Sequence, residues 1–236
     1  MSTLRDAGGI VMDRLYQLRQ QARNVTRREE PSERYPGGDR APVLLLPGVY
    51  ETWAYLRPVA DRLHELGHPI HTLPDLGHNR GPIAASARRG QAYLERRDLD
   101  GVILVGHSKG GIIGKHMMVT DDTSGRIDQL IAVNSPFDGS SLARFAPNAA
   151  LRAFHPRNEL LLALAAELEA NGRITSVYSR LDPIIPGGSR LEGARNVELS
   201  MVGHFRPLGS PQLLTIVEQV VAAQRRGPEG AAEVAE

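Results

Sequence analysis

Val102-Ile103-Leu104-Val105-Gly106-His107-Ser108-Lys109-Gly110-Gly111 is an apolar run that ends in glycines set around one serine, with Ile112 and Ile113 beyond it. It reads as a buried strand, a tight turn and the first turn of a helix, with Ser108 at the apex. The spacing Gly106, Ser108, Gly110 is that of a turn that presents a serine Oγ above the carboxyl end of a parallel strand, the glycines keeping Cβ atoms out of a crowded corner. Alone, such a pattern is weak in a chain with 24 glycines, so the flanking sequence has to carry the reading.

Outward from that stretch, apolar runs alternate with helical periodicity. Strands are expected at Val43 to Leu46, Pro69 to Leu73, Val102 to Val105, Ile127 to Val133, Ile174 to Tyr178 and Val197 to Met201. Between and after them the spacing predicts helices over Trp53 to Leu66, Ile83 to Arg97, Gly110 to Thr120, Glu159 to Ala170 and Pro211 to Gln224. This order implies an α/β fold: a mainly parallel sheet of about six strands, helices on both faces and right-handed crossovers. Open parallel sheets bind ligands beyond the carboxyl ends of their strands. The loops Pro47 to Thr52, His107 to Gly111, Ser179 to Gly187 and Ser200 to Pro207 converge there.

Outside residues 41–225 the chain changes character. Leu4, Ala7, Val11, Leu15 and Leu18 form one stripe of an amphipathic helix, expected to dock on its own domain. Arg14, Arg19, Arg23, Arg27 and Arg28 lie in a span without an acid, which also suits contact with a membrane surface or a partner. Pro31 to Pro42 reads as a linker, giving an N-terminal unit of residues 1–40, and the Ala, Glu and Gly of 226–236 as a disordered tail.

Composition narrows the function. With 28 basic and 27 acidic residues among 236, no field recruits nucleic acid. No cysteine is present, which excludes disulfides, thiolate metal ligands and a cysteine nucleophile. Charges spread through residues 1–30 leave no uninterrupted apolar leader, and no span of 18 apolar residues exists, so a cytoplasmic protein is expected.

A serine hydroxyl needs a base to take its proton, and the base needs a carboxylate to orient it. Asp182 follows the fifth strand and His204 the sixth, which supplies both beside Ser108. Asp138 and Asp75 are the other candidate acids. Developing oxyanion charge needs preformed donors, and the backbone N–H groups of Lys109 and of Val49, or Tyr50 next to it, are placed to serve. His64, His68 and His71 have spacings suggestive of a metal, but Gly67-His68-Pro69 breaks the helix between them, and no metal site is expected. His107 reads as a residue packed in the turn, Met117 and Met118 as core, and Asn79 and Gly81 as loop-shaping residues.

The segments Leu44-Leu45-Leu46-Pro47-Gly48, Leu76-Gly77-His78-Asn79-Arg80-Gly81-Pro82, Gly106 to Gly111, Asn134-Ser135-Pro136-Phe137-Asp138-Gly139-Ser140 and Asp182-Pro183-Ile184-Ile185-Pro186 resemble the α/β-hydrolase superfamily and, within it, bacterial lipases and esterases. The resemblance covers most of residues 43–206. It implies a cofactor-free serine hydrolase with the triad Ser108, Asp182 and His204, in the chain order of that superfamily. Many relatives carry His-Gly where this chain has Pro47-Gly48, which bears on the identity of the second oxyanion donor.

Only a short cap, about 137–157, is available to cover the site. Its residues Leu142, Phe145, Leu151 and Phe154 give it an apolar underside, and Tyr50, Trp53 and Phe137 are the expected pocket residues. A cap this short favours modest, soluble esters over emulsified fat, so the expected partner is a small-molecule ester or lipid-like substrate. Acyl transfer, thioester or amide cleavage, and noncatalytic ligand binding are the alternatives on the same scaffold.

Overall fold

The computed structural model describes residues 2–26 and 34–224. Six strands, β1 (Val43–Leu46), β2 (Ile70–His71), β3 (Val102–His107), β4 (Ile127–Val133), β5 (Ile174–Leu181) and β6 (Arg195–Val202), form one sheet in the order β2-β1-β3-β4-β5-β6. Every neighbouring pair is parallel. The helices are α1 (Ser2–Thr26), α2 (Arg57–Glu65), α3 (Ile83–Arg96), α4 (Lys109–His116), α5 (Ala149–Arg152), α6 (Glu159–Ala166) and α7 (Pro211–Gln224). None of the described helices is long and apolar enough to cross a membrane.

Strand alternation divides the apolar side chains between two cores. Val43, Leu45, Ile103, Val105, Ile131 and Val133 point to one face and bury Val59 and Leu63 of α2 and Leu213 and Val217 of α7. Leu44, Leu46, Leu104, Leu130 and Ala132 point to the other, against Ile83 and Leu94 of α3, Ile112 and Ile113 of α4 and Leu161 of α6. Polar residues carry two ladders past their apolar runs, β3 through Gly106 and His107 and β5 through Ser179 and Arg180 to Leu181, whereas β2 keeps only Ile70 and His71 of the expected Pro69 to Leu73. The second helical stretch opens as a 3-10 turn, Trp53–Leu56, before Pro58 at the second position of α2. The helix after the serine ends in a π turn, Met117–Asp121.

Two expectations about the N-terminal part change. Residues 34–42 are pinned rather than free: Tyr35 is buried in the first core and donates to Asp61, and the amides of Asp39 and Arg40 both donate to the Gly67 carbonyl. A Cβ at Gly38 would lie 2.4 Å from that carbonyl, so glycine is what lets the chain close there. Residues 31–33 of the expected linker and the tail at 226–236 lie outside the described residues.

Helix α1 does dock on its own domain, but with the opposite face. Gly9 packs on Val202 of β6, Tyr16 on Gly209, and the buried Asp13 accepts the amides of Phe205 and Arg206, each at 2.7 Å. The stripe Leu4, Val11, Leu15 and Leu18 faces solvent. Edge strand β6 buries only Leu199 and Val202 fully, so it offers a close backbone approach and two amides rather than an apolar trough.

Gly8 and Gly9 separate these effects. Nothing lies within 4 Å of a Cβ at Gly8, whereas one at Gly9 meets the Val202 Cβ at 2.7 Å. Urea unfolding should show Gly8→Ala stabilised by about 0.5–1 kcal/mol through helix propensity, and Gly9→Ala destabilised by about 1–3 kcal/mol as α1 is pushed off β6. Equal effects at the two positions would disprove this docking.

Lys115 of α4 is buried in the second core with its Nζ unpartnered among the described residues. Burial pulls its pKa down from 10.5 to about 8, against the opposing pull of Asp138 and Glu167. A depressed folded-state value means the unfolded chain binds this proton more tightly, so the penalty is present below pH 8 and relieved between about 8 and 10.5. Lys115→Met should be more stable than the parent by about 1–3 kcal/mol at pH 7, with the gap narrowing as chemical unfolding is repeated up to pH 10.

Candidate active site

Ser108 follows β3 directly and stands at φ 51° and ψ −116°, a left-handed backbone that a non-glycine residue holds only under constraint. The constraint is packing. A Cβ at Gly110 would lie 1.8 Å from the Leu46 carbonyl oxygen, and one at Gly106 2.5 Å from the Gly110 carbonyl carbon. The strand, turn and α4 therefore close tightly onto the end of β1, and the Ser108 amide donates to Val133 at the end of β4, 2.9 Å.

The loop after β1 runs beside this turn. Asn79 donates to the Pro47 carbonyl at 2.6 Å, and the Tyr50 amide donates to the His78 carbonyl at 2.8 Å. That bond commits Tyr50, while the Val49 amide meets no acceptor among the described residues. Lys109 begins α4, where helix geometry leaves first-turn amides without an intrahelical partner. Its side chain turns the other way: the buried ammonium donates to the Asn79 carbonyl and side-chain oxygen and to the Gly81 carbonyl, and burial pulls its pKa down to about 8. Asn79 and Gly81 thus shape the loop, as expected, by holding Lys109.

His204 and Asp182 come together from the ends of β6 and β5. The His204 Nδ1–H donates to Asp182 Oδ2 at 2.7 Å, both groups being buried, and Asp182 Oδ1 accepts the amides of Ile184 and Ile185. A carboxylate accepts only, so Nδ1 carries a proton, and in the neutral ring the lone pair is then on Nε2. The β5–β6 register shifts between Ser179 and Leu181, β6 carrying the extra residue just before the His204 loop. Asp75 and Asp138 stand elsewhere: Asp138 lines a separate small cavity with Lys115, and Asp75 a surface groove beside α3.

Under His204 lies a buried pair that the sequence did not reveal. His107 Nδ1 is 2.9 Å from both carboxylate oxygens of Glu51, and its Nε2 is 3.0 Å from the His204 carbonyl. Both ring nitrogens face acceptors, which assigns a proton to each. Burial opposes that charge, but the Glu51 carboxylate and the His204 carbonyl outweigh it and raise the His107 pKa. Glu51 also accepts the Gly48 amide at 2.9 Å, so one carboxylate ties the loop after β1 to the His204 loop. Asn134, held at φ 44°, donates to the carbonyls of Gly203 and His204, and Asp13 of α1 holds the two amides that follow. A carboxylate five residues after a strand carries no sequence signal. Asn134, directly after β4 in a segment already singled out, carried a weak one.

Ser108, His204, Val49 and Tyr50 all line one cavity of about 490 Å³. Leu142, Phe145, Leu151 and Phe154 form its outer wall, carried by the 3-10 turn Ser141–Phe145, by α5 and by the residues just after it. Trp53 and Phe137 are not among its walls. Trp53 packs edge-on to Tyr35, ring centroids 6.0 Å apart, and Phe137 is buried in the second core, because the 3-10 turn before α2 and the loop after β4 turn these rings inward. His68 and His71 are separately engaged, with the Ala41 carbonyl and the Tyr93 hydroxyl, and His64 packs against Tyr35. Among the described residues no three His, Asp or Glu side chains gather as a metal site.

Residues 89–155 match the model of the PGAP1-like alpha/beta domain. A metagenome-derived lipolytic enzyme of the LipS and LipT pair superposes with a TM-score of 0.58 at 18% identity, covering 80% of this chain and 95% of that one. A monoacylglycerol lipase from Paleococcus ferrophilus gives 0.56 at 13% identity over 79% and 96%. Lipase BlEst2 of Bacillus licheniformis gives 0.55 at 16% over 78% and 96%. Six parallel strands, the strained serine turn after β3 and these likenesses establish that the chain has the α/β-hydrolase fold.

Proposed function

We propose that this protein is a serine hydrolase of carboxylic esters, working through an acyl-enzyme. The observation that carries the reading is the buried 2.7 Å bond from His204 Nδ1 to Asp182, with His204 and Ser108 on the wall of one cavity. In this reading the His204 Nε2 lone pair takes the Ser108 proton as Oγ attacks the ester carbonyl, then returns it to the leaving alcohol. Water repeats the cycle on the acyl-enzyme. Asp182 fixes the tautomer and stabilises the imidazolium. The Val49 and Lys109 amides receive the oxyanion, Tyr50 being committed to His78. The mainly apolar cap wall suits the acyl chain of an ester, and lipase names among the structural likenesses agree with that choice.

A fluorophosphonate probe should label Ser108 in the folded chain, and Ser108→Ala should lose the label and about 10³-fold or more in kcat on a short p-nitrophenyl ester. Asp182→Asn should lose about 10³–10⁴-fold by favouring the wrong tautomer. An undiminished rate in Ser108→Ala would remove the proposal.

Glu51→Gln leaves the His107 cation without its counter-charge. Its stability should fall by about 3–5 kcal/mol, the cost of an orphaned buried charge, with a drop in kcat as the His204 loop loosens. The pair's contribution has a definite sign: the raised His107 pKa makes it fully present below the ordinary 6.5 and lost as pH rises through the folded value. The difference between parent and variant in chemical unfolding should therefore be largest near pH 6 and shrink on the alkaline side.

A further inference from the structure

The stripe that leaves α1 for solvent has no role in the fold. Leu4 is 83% exposed, Val11 59%, Leu15 54% and Leu18 60%. At about 100° per residue these four side chains fall within one arc of roughly 60°, opposite the docked face of Gly9, Asp13, Tyr16 and Gln20. Arg14 borders the stripe on one side, and Arg19 and Arg5 lie beyond the other. The two acids of the helix are turned to the protein: Asp13 is buried under the His204 loop, and Asp6 is paired with Arg180. From Arg14 to Arg28 the sequence holds no acid.

This face stands at the mouth of the candidate site. Arg14, Gln17 and Gln21 of α1 form one side of the cavity that Ser108 and His204 line. Across the opening, the cap presents Leu142 and Phe145, 46% and 71% exposed, with the Arg144 guanidinium over the Phe145 ring at 4.5 Å. The opening thus lies between two exposed apolar ridges, each bordered by arginine. Large apolar side chains so arranged on a surface mark a contact site, and the charge beside them selects its chemistry.

We propose that α1 and the cap edge seat this protein on a lipid surface carrying anionic headgroups, with the mouth of the cavity turned to the bilayer. An amphipathic helix with an apolar stripe and basic borders lies in the interfacial plane, its stripe among the acyl chains and its arginines among the phosphates. A second copy of the chain fits the face poorly. Two copies meeting on this face would bring identical arginine borders together, like charge against like, whereas anionic headgroups neutralise them. The docking needs no catalysis. Its consequence, delivery of a membrane-borne ester rather than a dissolved one, rests on the hydrolase reading.

The test is co-sedimentation of the 236-residue chain with vesicles of phosphatidylcholine alone or with 30 mole per cent phosphatidylglycerol. Binding should require phosphatidylglycerol, weaken at 0.5 M NaCl, and fall at least ten-fold in the triple variant Val11→Ser, Leu15→Ser, Leu18→Ser. The stripe makes no core contact, so that variant should keep the parent thermal midpoint and its rate on a soluble ester. Arg5→Gln and Arg19→Gln should each weaken binding about five-fold. Ser108→Ala should bind as the parent does, so an inactive parent that still binds vesicles would remove the hydrolase reading and leave the docking intact. Absence of binding, equal binding by the triple variant, or a concentration-dependent dimer that the triple variant abolishes in sedimentation equilibrium would overturn the proposal.

Discussion

The contact between the Leu46 carbonyl and Gly110 sets the geometry of the whole cavity. With β1 and β3 paired so that Leu46 lies opposite Gly106, the chain leaving β1 and the chain leaving β3 emerge side by side. No side chain larger than hydrogen fits at Gly110, and the turn between the two glycines has to pass through the strained backbone of Ser108. Adjacent exits bring the loop of Val49 and the Ser108 turn to the wall of one cavity. Their neighbourhood is then a product of strand register rather than of any flexible loop.

The other side of the cavity is held by polar contacts, because His204 sits on a loop past an edge strand with little apolar surface to lock it. Its imidazole is fixed by Asp182, its carbonyl by Asn134 and His107, and the next two amides by Asp13. These anchors come from the ends of β5, β4 and β3 and from α1. The His107–Glu51 pair places a full charge pair in the interior, where removal of either partner is expensive. Because Glu51 also receives the Gly48 amide, displacement of one loop is felt in the other.

What the sequence made legible is what the backbone period dictates. Val43 to Leu46 is a strand over just those residues, since a continuous run of valine and leucine suits a strand covered on both faces, and Ile127 to Val133 keeps its expected bounds with the apolar Leu130 to Val133 buried. Ser108, Asp182 and His204 were legible because each follows a strand, where topology alone brings loops to one edge. Side-chain direction within loops was not. Trp53 and Phe137 look like pocket aromatics in the chain, but in the fold Trp53 lies half-buried against the first core and Phe137 within the second, since a period cannot tell which way a turn rolls its rings. Glu51, His107 and Asp13 were invisible as a group because their partners lie 56 to 193 residues away. Their pairing depends on which loops the sheet order makes neighbours.

Helix α1 shows the limit of periodicity as a guide to burial. Its apolar stripe is real, yet docking went to the face with a glycine and a carboxylate. Strand β6 has few buried apolar side chains to offer, and two unpaired amides past its end attract a carboxylate more strongly than leucines gain by covering a mostly polar edge. A helix fixed by its polar face necessarily turns the opposite stripe outward. The outward stripe is therefore a geometric consequence of how His204 is held, and it lies beside the cavity mouth because Asp13 and the cavity-lining Arg14 and Gln17 share one helix. The contact that positions the candidate base also decides which face of α1 is left to solvent.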